Sequence, residues 1–358
     1  MRRLRAAALG LTGSAIVAGA LMGAAGGLLA YLGNPANTGI CVSCFLENAA
    51  GALGLHSNPR MQYLRPELLG FFLGSFLAAG AFREFKPRWR EAGLLLMGLG
   101  FLMAVGCAVF IGCPIKAALR LSAGDLTAVP GVVGLAIGVW AGIYLLRSEE
   151  LTSAGRSNPA QAAVPLGLVA GAAGVLALAF VPGFLRESRS GGGSLHAPAA
   201  VSLAAGLAIG FLCQRSRFCV TGAVRDVLLT RRLYPAAALA ATLAGAAAVA
   251  AFTGQMSVGY HGQPGSHLDW VWSCVGMALV GLAAVVAGGC PFRQIVKAGE
   301  GDMDAAAVVA GMLLGAAAVQ SWGLGATAAG VPPGGKVAVL VGIAAVLSLC
   351  FRRREEKP

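Results

Sequence analysis

Charge is what this chain has least of. Asp, Glu, Lys and Arg make up 12% of its 358 residues, about half the share of an ordinary soluble domain. A surface with so few charges cannot face water, which excludes a cytosolic globular enzyme, a nucleic-acid-binding domain and a disordered chain. Acidic residues are the scarcer sign, 15 against 27 Lys and Arg, for a net charge of +12. A basic excess can mark a nucleic-acid binder, but here it lies mainly between apolar runs, where membrane topology accounts for it. Also missing are a P-loop, a dinucleotide fingerprint and a nucleophile elbow. Without them, ATP-driven transport by this chain alone is not expected, and neither are catalytic residues or a cofactor. The four histidines, His56, His196, His261 and His267, have no triad or metal-cage spacing, so no metal site is expected.

What the chain does have is apolar sequence: 57% hydrophobic residues, 53 glycines and a mean hydropathy of +0.75. A bilayer-spanning helix needs about 20 apolar residues. Ten runs are candidates, near 6–31, 66–82, 92–111, 129–146, 163–181, 198–213, 235–253, 270–288, 304–322 and 335–351. Several fall short of full length, as helices half-buried against protein would. The runs are Ala, Gly, Leu and Val with little alternation, which argues against a β-barrel and for close packing through small residues. The expected fold is an all-α polytopic membrane protein.

Charge placement tests the span count. With a cytoplasmic N-terminus (Arg2, Arg3, Arg5), the cytoplasmic side also receives 83–91, 147–158, 214–234, 290–303 and the tail from Arg352. That side then holds 20 Lys and Arg and the other side 7, which satisfies the positive-inside rule. The expectation is an inner-membrane, multi-pass protein with both termini cytoplasmic. Residues 1–26 also have the form of a signal peptide, but the apolar run is longer than a typical leader's. The expected linkers are 147–162 and 183–197.

The chain contains an internal repeat. Gly112-Cys113-Pro114-Ile115-Lys116 is echoed 177 residues later by Gly289-Cys290-Pro291-Phe292-Arg293. At the same offset Arg120 meets Lys297, Gly124-Asp125 meets Gly301-Asp302, and Gly134 and Gly138 meet Gly311 and Gly315. Upstream, Cys41-Val42 corresponds to Cys219-Val220, and Asn48 to Asp226, at an offset of 178. The expected organisation is a first repeat with its linker over 1–162, then the fifth span and second repeat over 163–358, in one membrane domain. Five spans per repeat place the second copy upside down, a common transporter design with the substrate site near the midplane. Two short re-entrant segments from each face would give an hourglass.

In Gly-Cys-Pro, proline suits the first helical position, so the cysteine falls at the N-cap. The exposed N–H groups and positive helix end favour an anion and thiolate character. Lys116 with Arg120, and Arg293 with Lys297, lie one turn apart and add positive charge. Cys41 and Cys44 form a C-x-x-C, readable as successive thiols along a path, a reversible disulfide or an inert turn. Cys107, Cys213, Cys274 and Cys350 lie inside apolar runs and read as packing residues. Arg215, Arg217 and Arg225 flank Cys219; positive-inside topology explains Arg231 and Arg232, and Arg225 with Asp226 reads as an ion pair supporting the second re-entrant segment. Glu67, Asp125, Asp302 and Asp304 lie near span ends, where an acid could carry protons or be merely solvated.

These residues resemble the YeeE/YedE permease family, and within it the selenium-transporter branch. The matching segments are Gly33-Asn34-Pro35 through Cys44-Phe45-Leu46, Tyr63 to Glu67, Gly112 to Arg120, His196-Ala197-Pro198, Gln214 to Asp226, Gly262-Gln263-Pro264 and Gly288 to Asp302. The resemblance implies an hourglass membrane fold in which a thiosulfate-like substrate passes cysteine thiols in a positively charged path. Carried over by motif, Cys113 and Cys290 are the path cysteines. Cys41 or Cys44 supplies the thiol of the first re-entrant segment, and Cys219 is a further candidate. The extra cysteines depart from a minimal pattern and widen the substrate to a small sulfur- or selenium-containing compound.

Three functions compete at this stage. The first is a permease importing such a compound past Cys41, Cys44, Cys113, Cys219 and Cys290, supported by Gly112, Pro114, Lys116, Arg120, Gly289, Pro291, Arg293 and Lys297. The second is a membrane thiol–disulfide electron relay. The third is an accessory subunit that recruits a cytoplasmic sulfur- or selenium-handling protein.

Overall fold

The computed structural model describes residues 2–89, 92–146, 156–157, 163–179, 181, 183–230 and 233–355. The first half runs α1 (Arg2–Tyr31), α2 (Val42–Ala52), α3 (Pro66–Ala81), α4 (Gly93–Phe110), α5 (Pro114–Ser122) and α6 (Val129–Leu145). It is followed by α7 (Ala163–Leu178). The second half repeats the order of long and short helices: α8 (Ala199–Ser216), α9 (Val220–Thr230), α10 (Tyr234–Phe252), α11 (Trp270–Ala287), α12 (Pro291–Gly299), α13 (Met303–Trp322) and α14 (Pro333–Glu355). Residues Arg88–Trp89 and Arg156–Ser157 pair as a two-residue antiparallel ladder. The chain is an all-α polytopic membrane protein.

Among the described residues, eight segments are long and apolar enough to cross a membrane. The expected spans at Pro66–Ala81 and Ala163–Leu178 are apolar but only 16 residues each. Three of the eight reach 30 to 32 residues because each joins a long helix to the short one after it. The long and short helices meet at the sequence breaks around Cys113, Cys219 and Cys290, and there the chain changes direction. The expected linker 147–162 lies outside the described residues except at Arg156–Ser157. The expected linker 183–197 is not free: Arg65 Nη2 donates to Gly192 O at 2.7 Å and Leu195 O at 2.9 Å, and Ser188 Oγ accepts from Gln62 N.

The halves interlock by exchanging partners. Helix α1 lies along α10 and α3 along α8, while α6 packs on α11 and α4 on α13. Backbone contact without intervening side chains makes this possible. A Cβ at Gly134 would stand 1.9 Å from Cys274 O, and one at Gly311 1.9 Å from Met97 O. These positions are 177 residues apart, as the repeated glycines require, and small residues of this kind let membrane helices approach closely.

The backbone pivots recur as well. Ile111 and Gly288 both take left-handed conformations (φ 58° and 80°) just before the two Gly-Cys-Pro starts, as do Gly124 (92°) and Gly301 (93°) just after the short helices. Gly39 (40°) and Arg217 (56°) do the same ahead of Cys41 and Cys219. The loop after α3 reaches the end of α12 through Lys86 N→Glu300 O and Arg88 N→Gly301 O. Correspondingly, the loop after α10 reaches the end of α5 through Ser257 N→Ala123 O and Gly259 N→Gly124 O.

Candidate functional site

Both Gly-Cys-Pro motifs fold as their chemistry dictates. Cys113 and Cys290 are the N-caps of α5 and α12 in extended conformation, each with proline at the first turn. Neither caps with its side chain, so each thiol is left to face other groups. Cys41 is the N-cap of α2, and its Sγ accepts from Cys44 N at 3.4 Å. Cys219 stands just before α9, and its Sγ accepts from Gly222 N at 3.3 Å. Each thiol also touches a hydroxyl two residues on, Cys41 with Ser43 and Cys219 with Thr221, both at 3.3 Å.

The structure gathers the thiols into two clusters. In the first, Cys41 Sγ lies 3.0 Å from Cys44 Sγ and beside the thiol of Cys113. Cys107, which reads from sequence as a packing residue, joins it through Ser43. In the second, Cys290 N lies 3.5 Å from Cys219 Sγ and the two thiols meet. Cys41 and Cys219 are therefore equivalent, and Cys44, whose counterpart is Gly222, is the additional thiol. All nine cysteines are free.

Each cluster borders a cavity. A cavity of 820 Å³ is lined by Cys44, Glu47, Asn58, Arg60, Gln320 and the 325–332 loop. Another, of 240 Å³, is lined by Cys219, Thr221, Arg217, Arg225, Asp226 and Arg293. Cys44 and Cys219 are partly exposed, while Cys41, Cys113 and Cys290 are buried behind them. Among the described residues no group of His, Cys, Asp and Glu could hold a metal ion.

The basic residues differ from what the sequence suggests. Arg120 is turned away from the thiols: its Nε lies 2.6 Å from Asp125 Oδ2, its Nη1 donates to Phe110 O, and its Nη2 donates to Thr127 Oγ1. Lys297 pairs with Asp302 at 3.2 Å and Arg293 with Glu300 at 2.9 Å. Asp125 and Asp302 also cap the helices that follow, through Thr127 N and Ala305 N. Arg120, Lys297 and Arg293 are thus charge-balanced, because an uncompensated buried charge is expensive. Among the described residues Lys116 alone of the four has no carboxylate partner; its buried Nζ reaches Gly265 O at 3.5 Å.

Gly112, Pro114, Gly289 and Pro291 form the turns that set these helix starts, and Gln294 Nε2 braces the second turn through Ala287 O and Gly289 O. Arg215 and Arg217 close on Glu84, at 2.7 and 2.8 Å, and Arg217 also on Glu300. The Gln214 amide and these guanidinium groups hold the Glu84 carboxyl below its ordinary range. Arg225 pairs with Asp226 at 2.8 Å.

Several distant sequence segments converge on Asn34. Its amide donates to Gly39 O and Glu67 Oε1, both at 2.9 Å, and its Oδ1 accepts from Arg65 Nη1 and Ala197 N. Ser202 Oγ also donates to Glu67, and Tyr63 stacks on His196 at 4.1 Å. This hub fixes the turn that leads into Cys41. Burial, with Glu67 nearby, pushes the Tyr63 phenol up to about 12. His56 and His267 brace loops by bonding Glu47 O and Val109 O, each at 2.8 Å.

Residues 215–349 match a family model described as sulphur transport. Over 101 residues the chain is 31% identical to the thiosulfate transporter TsuA of Escherichia coli (strain K12). That match spans 28% of this chain and 28% of the relative's length.

Proposed function

We propose that the chain is a membrane permease of the YeeE/YedE family for a small anionic sulfur compound, a reading that the partial matches to sulphur-transport sequences support. The observation that carries this reading is the pairing of two thiol clusters with two cavities, Cys44–Cys41–Cys113 at one and Cys219–Cys290 at the other. The relative named above transports thiosulfate, and a thiosulfate-like ion suits the arrangement. Helix N-termini at Cys113 and Cys290 replace part of the lost hydration. Lys116 supplies charge that no carboxylate neutralises, and thiols are weak donors that hold an anion lightly. A selenium compound of similar size and charge is the finer expectation, resting on the sequence resemblance.

In this reading the two halves are inverted repeats in a cytoplasmic membrane with both termini inside, so the 820 Å³ cavity opens outward and the 240 Å³ cavity inward. Transport needs no resident cofactor and no bond-making step. Gly112, Pro114, Gly289 and Pro291 shape the helix starts, while Arg120, Arg293 and Lys297 hold the short helices through their ion pairs. A cytoplasmic sulfur- or selenium-handling protein would receive the cargo at the Cys219 cavity.

The test is uptake of labelled thiosulfate and selenium oxyanions by liposomes containing the purified chain. Cys113→Ala and Cys290→Ala should each abolish accumulation while the protein stays folded; normal uptake by both variants would remove the thiol path. The 3.0 Å approach of Cys41 and Cys44 supports the electron relay as a second reading. A relay requires transient disulfides during turnover, whereas a permease keeps its thiols reduced.

A further inference from the structure

Glu47 is a buried acid for which the thiol path has no use. It lies one turn beyond Cys44 on α2, is 8% exposed, and lines the 820 Å³ cavity. Among the described residues only a neutral group meets its carboxylate: Gln320 Nε2 donates to Oε2 at 2.5 Å. Gln320 is itself held by Asn58 Nδ2, which donates to Gln320 Oε1 at 2.7 Å. By contrast, Asp125, Asp302 and Glu300 each pair with a cation.

The ionisable groups around Glu47 come from its own helix and from several neighbouring segments. Cys41 and Cys44 share its helix, Cys107 approaches from α4 and Lys116 from α5, and Arg60 stands on the cavity wall. His56 reaches only the Glu47 backbone carbonyl. None of them pairs with the carboxylate, so its charge would face the cavity and oppose any anion drawn toward Lys116. Side chains one turn apart on a helix are about 6 Å apart. At that distance and an effective dielectric of about 20, two like charges lower joint occupancy about a hundredfold.

We propose that Glu47 is a proton-binding site linked to anion occupancy of the cavity. The ionised carboxylate excludes a second negative charge and the protonated form admits it. Linkage is reciprocal: an anion seated by Cys44 favours a proton on Glu47, and protonation favours the anion. The inference deepens the permease reading and rests on it.

The experiment is the initial rate of thiosulfate uptake into liposomes as the external pH is varied from about 5 to about 8, for the intact protein, Glu47→Gln and Gln320→Leu. The intact protein should slow by up to about tenfold per pH unit above the titration of Glu47, the limit for one linked proton. Glu47→Gln keeps the amide contact and removes the charge, so it should hold the acid-side rate across the range. Gln320→Leu removes the amide donor to the carboxylate, so protonation should persist and the profile should move to higher pH. A pH-independent rate in the intact protein overturns the inference and leaves the permease reading standing. An unchanged profile in Glu47→Gln, or its complete inactivity as folded protein, does the same. Absence of uptake by the intact protein at every pH removes the permease reading and this inference with it.

Discussion

Lys116 and Arg293 occupy equivalent positions three residues past their helix-starting cysteines, yet only Arg293 is neutralised. Arg293 Nη2 lies 2.9 Å from Glu300 Oε1, whereas Lys116 Nζ reaches only a backbone carbonyl at 3.5 Å. Glu300 has Ala123 as its counterpart, so Lys116 lacks the carboxylate that pairs with Arg293. In the proposed permease, a desolvated cation left in this state is available to an incoming anion.

Lys116→Met should therefore weaken substrate binding more than it weakens the fold. A hydrogen bond to a charged group contributes about 1.5–3 kcal/mol, so the half-saturating thiosulfate concentration should rise by about tenfold or more. Concentration-dependent uptake measures this, and an unchanged half-saturation would show that Lys116 does not meet the anion.

Arg120 and Asp125 carry a structural consequence instead. Both are fully buried, and Thr127 completes their network. Asp125→Ala strands the guanidinium and should destabilise the protein by about 3–5 kcal/mol. The related Asp302→Ala should cost less, since Lys297 and Asp302 retain 17% and 11% side-chain exposure. Unfolding in detergent compares the two; equal losses would contradict the burial argument.

The parts of the fold that depend on local chemistry are legible in the sequence. Proline after cysteine sets Cys113 and Cys290 at helix starts, and the repeated Gly124-Asp125 and Gly301-Asp302 mark the turns that end the short helices. Partner choice is not legible. Arg120 and Lys297 look like path charges until Asp125 and Asp302, five residues on, are seen to fold back onto them. Cys107 reads as packing because its approach to Ser43 depends on α2 crossing α4. Glu47 passes unnoticed for the same reason, since its meaning comes from Gln320, 273 residues away. Asn34, a small polar residue in a loop, shows its role only when Arg65, Glu67 and Ala197 arrive around it.

Glu84 gives the protein an acid limit. Its carboxyl is held below its ordinary range by Gln214, Arg215 and Arg217. A carboxyl depressed in the folded state contributes stability that is complete above its unfolded pKa and is lost as pH falls through the folded value. The intact protein should therefore lose melting temperature below about pH 4 more steeply than Glu84→Gln, which should be less stable at neutral pH. Parallel curves for the two proteins would show that the cluster carries no pH-dependent stability.

The two cavities make the direction of the path measurable. Cys44 and Cys219 are the partly exposed thiols of their clusters, and Cys41, Cys113 and Cys290 are buried. A membrane-impermeant maleimide added to right-side-out vesicles should modify Cys44 first, and the same reagent on inside-out vesicles should modify Cys219 first, as read by peptide mass spectrometry. Thiosulfate present during labelling should slow both reactions, because it would occupy the cavities from which the reagent attacks. The buried thiols should react only after denaturation. Labelling of Cys44 and Cys219 from the same face would place both cavities on one side of the membrane. The inverted-repeat topology and the continuous path would then fail together, since each requires the two clusters to open in opposite directions.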